Sequence, residues 1–321
     1  VLALKYGLID IGSNTMRAVV YQINPDNSFK IVVNEKEFAE ILSYIEDGVL
    51  TQEGIMRLCS VLKRMKSMCD STECDGFSCF ATASLRSISN QTQVLVDVKK
   101  ATGIDIRLLS GCEEAYYDYI GLQSCISDEQ AVGFDLGGGS AQVFYYDDYG
   151  LVTSTSQEIG ALAMYNKFVK GLFPNSKQRA KITKYVQEQL EGTIDFSKKD
   201  FTRIYGMGGT ARALAKVHKH ILGRDGETRG YTMTLEEIEE LDRAISMLGM
   251  DGIKILNRVI PERLVTFVPG LLVIKGIMNF VGAKELSIVV NGVRDGYVIE
   301  NGILRGSGID DFRDEQESLC K

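Results

Sequence analysis

The sequence contains no tryptophan, four prolines and two histidines in 321 residues. It has no apolar run approaching the ~18 residues that would mark a membrane span. Val1 to Gly7 carries a single lysine and lacks the layout of a secretory leader. Seven cysteines lie at 59, 69, 74, 79, 112, 125 and 320, with no Cys-x-x-Cys anywhere. The even spacing of Cys69, Cys74 and Cys79 fits no common zinc pattern. The expectation is reduced, structural thiols in a cytoplasmic protein. His218 and His220 stand two apart on an expected helix, point to different faces, and so make no metal site. Positive charge is also in deficit: 36 Lys+Arg against 43 Asp+Glu give a net charge of −7. A non-specific nucleic-acid binder would usually be basic. With 45% hydrophobic and 25% charged residues, the chain is neither disordered, collagen-like nor a small disulfide scaffold. At ~150 residues per domain, the length implies two domains.

What is present in excess is glycine, 32 residues. In an otherwise ordinary composition, that marks backbone approached closely by a ligand, most often phosphate. Charge is also unevenly spread. Met164–Arg229 holds 14 Lys/Arg and 6 Asp/Glu, a surplus of eight positive charges, and the remainder of the chain carries −15. Such asymmetry reads either as an anion-binding face or as a solvated helical surface.

Tyr6–Ile11, Met16–Ile23 and Phe29–Asn34 are short apolar runs separated by turn residues and read as strands. Thr51 caps an expected helix whose apolar stripe is Ile55, Leu58, Leu62 and Met65. Gly76–Ala81 and Ile104–Leu109 read as strands, Asn90–Ala101 and Gly111–Gln123 as helices. A second series starts at Ala131, with strands Ala131–Leu136, Ala141–Tyr146 and Leu151–Ser156. Helices are expected near 160–170 and 177–191, from the capping-box sequence Thr234-Leu-Glu-Glu237 to Leu248, and over Leu271–Val281. A last strand, Leu286–Val290, precedes a last helix, Val293–Leu304. Strands alternating with helices argue for an α/β fold. The pattern restarts after Gln123, so the expected domains are 1–125 and 126–321.

The two series begin alike. Ile9-Asp10-Ile11-Gly12-Ser13-Asn14-Thr15 aligns with Phe134-Asp135-Leu136-Gly137-Gly138-Gly139-Ser140 at a constant offset of 125 residues. Each is an apolar strand, an Asp, a Gly-led turn and a hydroxyl, followed by a second strand. A tight Gly/Ser turn aims backbone N–H groups at phosphate oxygens. An Asp at the strand end suits hydrated Mg²⁺, which needs only one or two carboxylates. Duplicated hairpins of this kind are expected to face each other across a cleft. Gly206-Met-Gly208-Gly209-Thr210, ahead of an expected helix Ala211–His218, is a third turn of this style. Arg86 is a candidate bidentate phosphate ligand. Ser110-Gly-Cys-Glu113-Glu114 opens a helix with two adjacent carboxylates. They either complement the macrodipole, or one of them turns toward substrate as a general base.

Taken together, IDIGSNTMR (9–17), ATASLRSISN (81–90), LSGCEEA (109–115), FDLGGGSAQ (134–142), GMGGTARALA (206–215), VPG (268–270) and NGVRDGY (291–297) resemble the exopolyphosphatase/guanosine pentaphosphate phosphohydrolase family of the actin/hexokinase/heat-shock-chaperone superfamily. The resemblance runs from Gly7 to about Ile303. It implies two ribonuclease-H-like α/β domains with mixed sheets flanked by helices and the active site in the cleft, the last helix (about 293–305) packing back on the first domain. It also implies release of terminal phosphate from polyphosphate or guanosine pentaphosphate with Mg²⁺ (or Mn²⁺).

Carried over position by position, Asp10 and Asp135 match the metal- and phosphate-site aspartates. Glu114 matches the general base, and Arg86 a cleft arginine. Gly12, Ser13, Asn14 and Thr15 match the first phosphate loop; Gly137, Gly138, Gly139 and Ser140 match the second. Gly208, Gly209 and Thr210 match the Gly-Gly-Thr loop, and Arg294 a second arginine. The chain departs from the pattern at Ser140-Ala141-Gln142, where the family usually has Ser-Thr-Glu. Gln142 stands at a metal position but brings no charge and no base. The segment Glu37–Leu42 is more acidic than in the family, and with the sequence ending at Lys321 the helical C-terminal domain of longer members is not expected.

The expected partners are the phosphate substrate and a second copy in a homodimer, with neither nucleic acid nor membrane. Two alternatives stay open. One is a (p)ppGpp- or nucleotide-binding regulator with weak catalysis, which Gln142 favours. The other is an ATP-dependent kinase or ATPase of the same superfamily, which the Glu-Glu-Ala motif disfavours.

Overall fold

The computed structural model describes residues 3–196, 201–304 and Cys320. The chain divides into two compact units. One runs through Glu114 and takes up the chain again at Tyr297; the other is Ala115–Gly296. The division falls inside a helix, eleven residues before the 125/126 boundary read from the sequence pattern.

In the first unit, strands β1 (Leu4–Ile11), β2 (Met16–Ile23) and β3 (Phe29–Glu37) form an antiparallel meander. A small hairpin of β4 (Ile45–Glu46) and β5 (Val49–Leu50) leads into α1 (Gln52–Ser71). Thr51 caps α1 by accepting from Gly54 N–H, and Leu58, Leu62 and Met65 are buried as the apolar spacing requires. Then follow β6 (Gly76–Ala81), the short α2 (Ala83–Arg86), α3 (Gln91–Thr102), β7 (Arg107–Leu108) and α4 (Gly111–Gln123). The sheet order is β3-β2-β1-β6-β7, with β6 parallel to β1 and β7 parallel to β6. Strand β7 is shorter than the expected 104–109. Its ladder pairs only Arg107 and Leu108 with Phe80 and Ala81, because β6 ends there and the chain turns into α2. The core is Ile9, Ile11 and Val20 of the sheet against Leu58, Leu62, Val94 and Val98 of the helices.

The second unit repeats the plan. Strands β8 (Ala131–Leu136), β9 (Ala141–Asp147) and β10 (Gly150–Gln157) form the meander, and α5 (Ala161–Phe168) and α6 (Ser176–Leu190) follow. Next come β11 (Arg203–Met207), α7 (Gly208–Ile221), β12 (Thr232–Thr234), α8 (Leu235–Leu248), α9 (Met250–Val259), α10 (Phe267–Val281), β13 (Glu285–Ile288) and α11 (Val293–Val298). A π-helical run, Ile299–Leu304, continues from α11 in the stretch after Tyr297 that belongs to the first unit. The order is β10-β9-β8-β11-β13-β12, with β8, β11 and β13 parallel. Both sheets are therefore mixed and flanked by helices, three antiparallel strands followed by parallel ones, with β12 added antiparallel at the edge of the second sheet. The apolar helix α10 is buried almost all round, including Pro269 and Gly270 in its first turn. It anchors a core with Phe134, Val143, Ile182, Val186 and Leu214.

Among the described residues, no helix is long and apolar enough to cross a membrane. Cys59, Cys69, Cys74, Cys79 and Cys125 are free thiols. Burial pushes the Cys69 thiol up to about 11, which keeps it protonated. Cys112 and Cys320 are disulfide-bonded, a departure from the expectation of reduced thiols throughout. His218 is buried and His220 exposed.

Candidate active site: two matching turns and a buried glutamate

The two repeated motifs adopt the same local geometry. Asp10 is the penultimate residue of β1 and faces Arg17 across the β1–β2 ladder. Asp135 is the penultimate residue of β8 and faces Gln142 across the β8–β9 ladder. Each turn closes with the same bond: Gly12 N–H donates to the Thr15 carbonyl at 3.0 Å, and Gly137 N–H to the Ser140 carbonyl at 3.0 Å. In each turn the next two amides, Ser13 and Asn14 or Gly138 and Gly139, donate to nothing among the described residues. Backbone donors left this way need a partner from water or a ligand.

The carbonyls, by contrast, are committed. In the first turn, Asn14 O accepts from Glu40 N–H at 3.0 Å and Ser13 O from Leu42 N–H at 3.4 Å. The acidic segment 37–42 thus braces the loop through its backbone. In the second turn, Gly137 O accepts from Ala161 N–H at 3.0 Å and Gly138 O from Leu162 N–H at 2.9 Å, so α5 seats on the loop by its first amides.

In the first unit the Glu-Glu pair is divided. Ser110 Oγ accepts from Glu113 N–H at 3.1 Å, and Glu113 Oε2 accepts from Ser110 N–H at 2.9 Å. That reciprocal pair is a capping box for α4. Glu113 Oε1 is also paired with Arg107, whose guanidinium lies 5.7 Å from the Tyr297 ring centroid. Glu114 instead points inward. It is 6% exposed and its Oε1 is ion-paired with Arg86 Nη1. The same Arg86 nitrogen donates to Leu109 O at 2.7 Å. Arg86 thus sits against Glu114, in the role of a partner to the carboxylate.

In the second unit, Gly208, Gly209 and Thr210 form the first turn of α7; the helix starts three residues earlier than the sequence pattern indicates. Its cap residue Met207 makes no side-chain cap, so the first amides are open to an anion. Gly208 has φ +85°, and a Cβ there would lie 2.2 Å from Asp135 Oδ1. Only glycine permits this approach. Gln142 is buried, its amide nitrogen donating to Ser140 Oγ at 3.0 Å and Ser156 Oγ at 2.9 Å. A metal there would have to use the remaining carbonyl oxygen. Arg294 lies in the first turn of α11, two residues beyond Gly292, whose Cβ position is 3.7 Å from Asp135 Oδ2.

Two side chains that sequence reasoning passed over belong with these. Arg263 lies against the start of α7: its Nη1 is 3.5 Å from Thr210 Oγ1, and its guanidinium occupies the space a Gly209 side chain would need. Burial pushes its pKa down, opposed by Glu262 and Asp135. The available signal was its place in Pro261-Glu262-Arg263, just ahead of the VPG motif. Asp118 of α4 is buried, with Oδ1 3.5 Å from the same Gly292 Cβ position that neighbours Asp135. A single Asp in an aromatic helix carried no pattern to expose it.

Among the described residues, no group of three or more His, Cys, Asp and Glu could hold a metal ion. The oxygen donors do fit a hard cation. Asp10 and Asp135 each end a strand beside amides that suit phosphate, and Mg²⁺ takes oxygen ligands, keeps several waters and shares phosphate oxygens.

A model of the Ppx/GppA phosphatase family matches residues 19–302. The bifunctional 3-dehydroquinate synthase/phosphatase of Fusobacterium nucleatum is 28% identical over 309 residues, covering 91% of this chain and 46% of that protein. The chain thus spans about half of that relative's length. Exopolyphosphatase 1 of Mycobacterium leprae is 21% identical over 308 residues, covering 92% of this chain and 89% of that one. The crystal structure of the Aquifex aeolicus member of the Ppx/GppA family superposes with a TM-score of 0.80 at 20% identity, covering 96% of this chain and all of that one.

Proposed function

The chain belongs to the Ppx/GppA phosphatase family, and on that premise we propose that it hydrolyses the terminal phosphoanhydride bond of inorganic polyphosphate or guanosine pentaphosphate. The observation that carries this reading is the matched pair of turns, each with two amides left for an anion beside a strand-end aspartate. The relatives named exopolyphosphatase and guanosine-5'-triphosphate,3'-diphosphate pyrophosphatase support the class of reaction.

The proposed step is attack of water on the terminal phosphorus. A P–O bond to water forms, the bridging P–O bond breaks, orthophosphate leaves, and the shortened chain retains the bridging oxygen. Glu114 takes the water proton at its carboxylate. Its burial and its place at the start of α4 suit a base that must be held still and shielded from bulk solvent. Arg86 holds that carboxylate and brings positive charge for the phosphoryl oxygens. In the first unit the amides of Ser13 and Asn14, and in the second unit those of Gly138 and Gly139 with the first turn of α7 and Arg263, each offer donors to phosphate oxygens, and no covalent intermediate is needed. Mg²⁺ or Mn²⁺, held through Asp10 or Asp135, would offset phosphate charge as the bond breaks.

The test is phosphate release from polyphosphate and from guanosine pentaphosphate, by the wild type and by Glu114→Gln. We expect the variant to remain folded and to lose about 100-fold or more of turnover, the contribution usual for a general base. Turnover near wild type would remove Glu114 from that role. Tight nucleotide binding by a wild type that releases no phosphate would favour the regulator reading that Gln142 raises.

A further inference from the structure

The positive surplus of residues 164–229 resolves, in the second unit, into groups with different fates. Arg179 is paired with Asp242, Arg203 with Glu285, and Lys219 is buried with its ammonium on Glu227 O at 2.9 Å. Lys198 and Lys199 lie outside the described residues. Lys216, Arg224 and Arg229 are exposed on α7 and in the segment after it, and the remaining exposed basic residues form a lysine face on α6 and the end of α5.

Lys177, Lys181 and Lys184 recur at helical spacing, so they line one face of α6 over about 10 Å. All three are exposed, while Ile182, Val186 and Leu190 bury the opposite face. Lys167, in the last turn of α5, joins them by placing its ammonium 3.9 Å from the ring centroid of Tyr185 on α6. Lys170 is exposed just beyond α5. Lys184 pairs with Glu188 at 3.5 Å; Lys167, Lys170, Lys177 and Lys181 make no ion pair among the described residues.

The placement runs against the helix. A macrodipole rewards acids in the first turn and bases in the last, by about 0.3–1 kcal/mol each. Helix α6 has Lys177 in its first turn, no acid there, and Glu188 in its last turn. Lys177 therefore carries a small stability cost in that first turn that an anionic occupant would offset. Helix α5 connects the face to the phosphate loop. Its first amides sit on Gly137 and Gly138, and Lys167 is six residues on, about 9 Å along the axis.

We infer that this lysine face is a secondary binding site for the body of a polyphosphate chain, outside the turns that take its terminal group. The inference rests on the polyphosphate reading above and specifies where a long substrate gains affinity that a short one does not. A flexible linear polyanion without bases fits a row of lysines on one helix, where the neighbouring ring, Tyr185, is half-buried and already covered by the Lys167 ammonium. Affinity of this kind is steeply salt-dependent, and each lost contact lowers the slope of log K against log salt by about 0.7.

The experiment compares Lys177→Gln/Lys181→Gln/Lys184→Gln with a charge-matched control on the first unit, Lys30→Gln/Lys63→Gln/Lys100→Gln. Both are made in the Glu114→Gln background, so that binding is read without turnover. Titration with long-chain polyphosphate and with tripolyphosphate at two salt concentrations is expected to show an affinity loss of about tenfold or more for the long chain in the α6 variant. The salt slope should fall by about 2, for three contacts. Tripolyphosphate should distinguish the two variants by less than twofold. Equal affinity of the α6 and control variants for the long chain would overturn the inference. So would an equal loss for tripolyphosphate, which would place the lysines at the terminal-group site. Lysine-dependent binding of a mixed-sequence RNA oligonucleotide as tight as that of polyphosphate would overturn it in favour of a nucleic-acid surface. Failure of the hydrolysis reading shows separately, as absence of phosphate release by the Glu114-containing protein.

Discussion

Glu113 and Glu114 are neighbours of the same type, and their surroundings separate them. Glu113 closes a backbone loop with Ser110 and pairs with Arg107. Glu114 is buried against Arg86. Glu113→Ala should therefore cost about 1 kcal/mol of stability, the usual worth of a helix cap, and leave far more turnover than Glu114→Gln. Urea unfolding together with phosphate release checks both halves of that expectation. The sequence left the two carboxylates equivalent in a helix's first turn; only the partners that β7 and α2 bring up tell them apart. Arg263 makes the same point from the other side. Its charge is ordinary in the sequence, and it matters because the chain after α9 folds it over the start of α7.

At the scale of elements, the helices that flank the second sheet are joined by a nearly buried ion network. Asp242 of α8 is 7% exposed, pairs with Arg179 of α6, and lies 3.5 Å from Lys275 of α10. Removing one member of such a network leaves the others desolvated and unpaired. Asp242→Ala should cost about 3–5 kcal/mol, read as a lower urea midpoint, whereas an exposed i,i+4 pair such as Lys184–Glu188 should contribute under about 0.5 kcal/mol. Elements with a strong local code were legible in advance: the meanders, α1 with its Thr51 cap, and α8 with its capping box at Thr234 and Glu237. Elements defined by a partner were not. Strand β12 exists because Thr232–Thr234 can pair with β13, and α9 follows α8 after a single Gly249 at φ +52°.

For the molecule as a whole, folding stability should depend on pH through His218. Burial among the α7–β12 side chains lowers its pKa, Arg224 lowers it further, and Glu237 and Glu240 oppose both. Its Nδ1 lies 2.9 Å from Tyr231 OH. An unfolded histidine takes up a proton near pH ~6.5 that the folded one refuses until lower pH. Stability is then undiminished above that value and falls as pH drops below it. Unfolding measured between about pH 7 and 5 should show this decline, and His218→Gln should flatten it.

The sequence by itself determined the duplicated α/β plan and the two Asp–Gly turns 125 residues apart. These are local: alternating apolar runs choose strands, and a turn that short admits few backbones. It also determined the family, because ordered motifs survive where overall identity is low. The tertiary structure decided the rest: which glutamate is buried, where the α7 helix begins, that Gln142 holds serines, and which of fourteen basic residues stand exposed on one face. Each of these depends on contacts between segments far apart in the chain, and burial and pairing there are set by packing, which no short window of residues encodes.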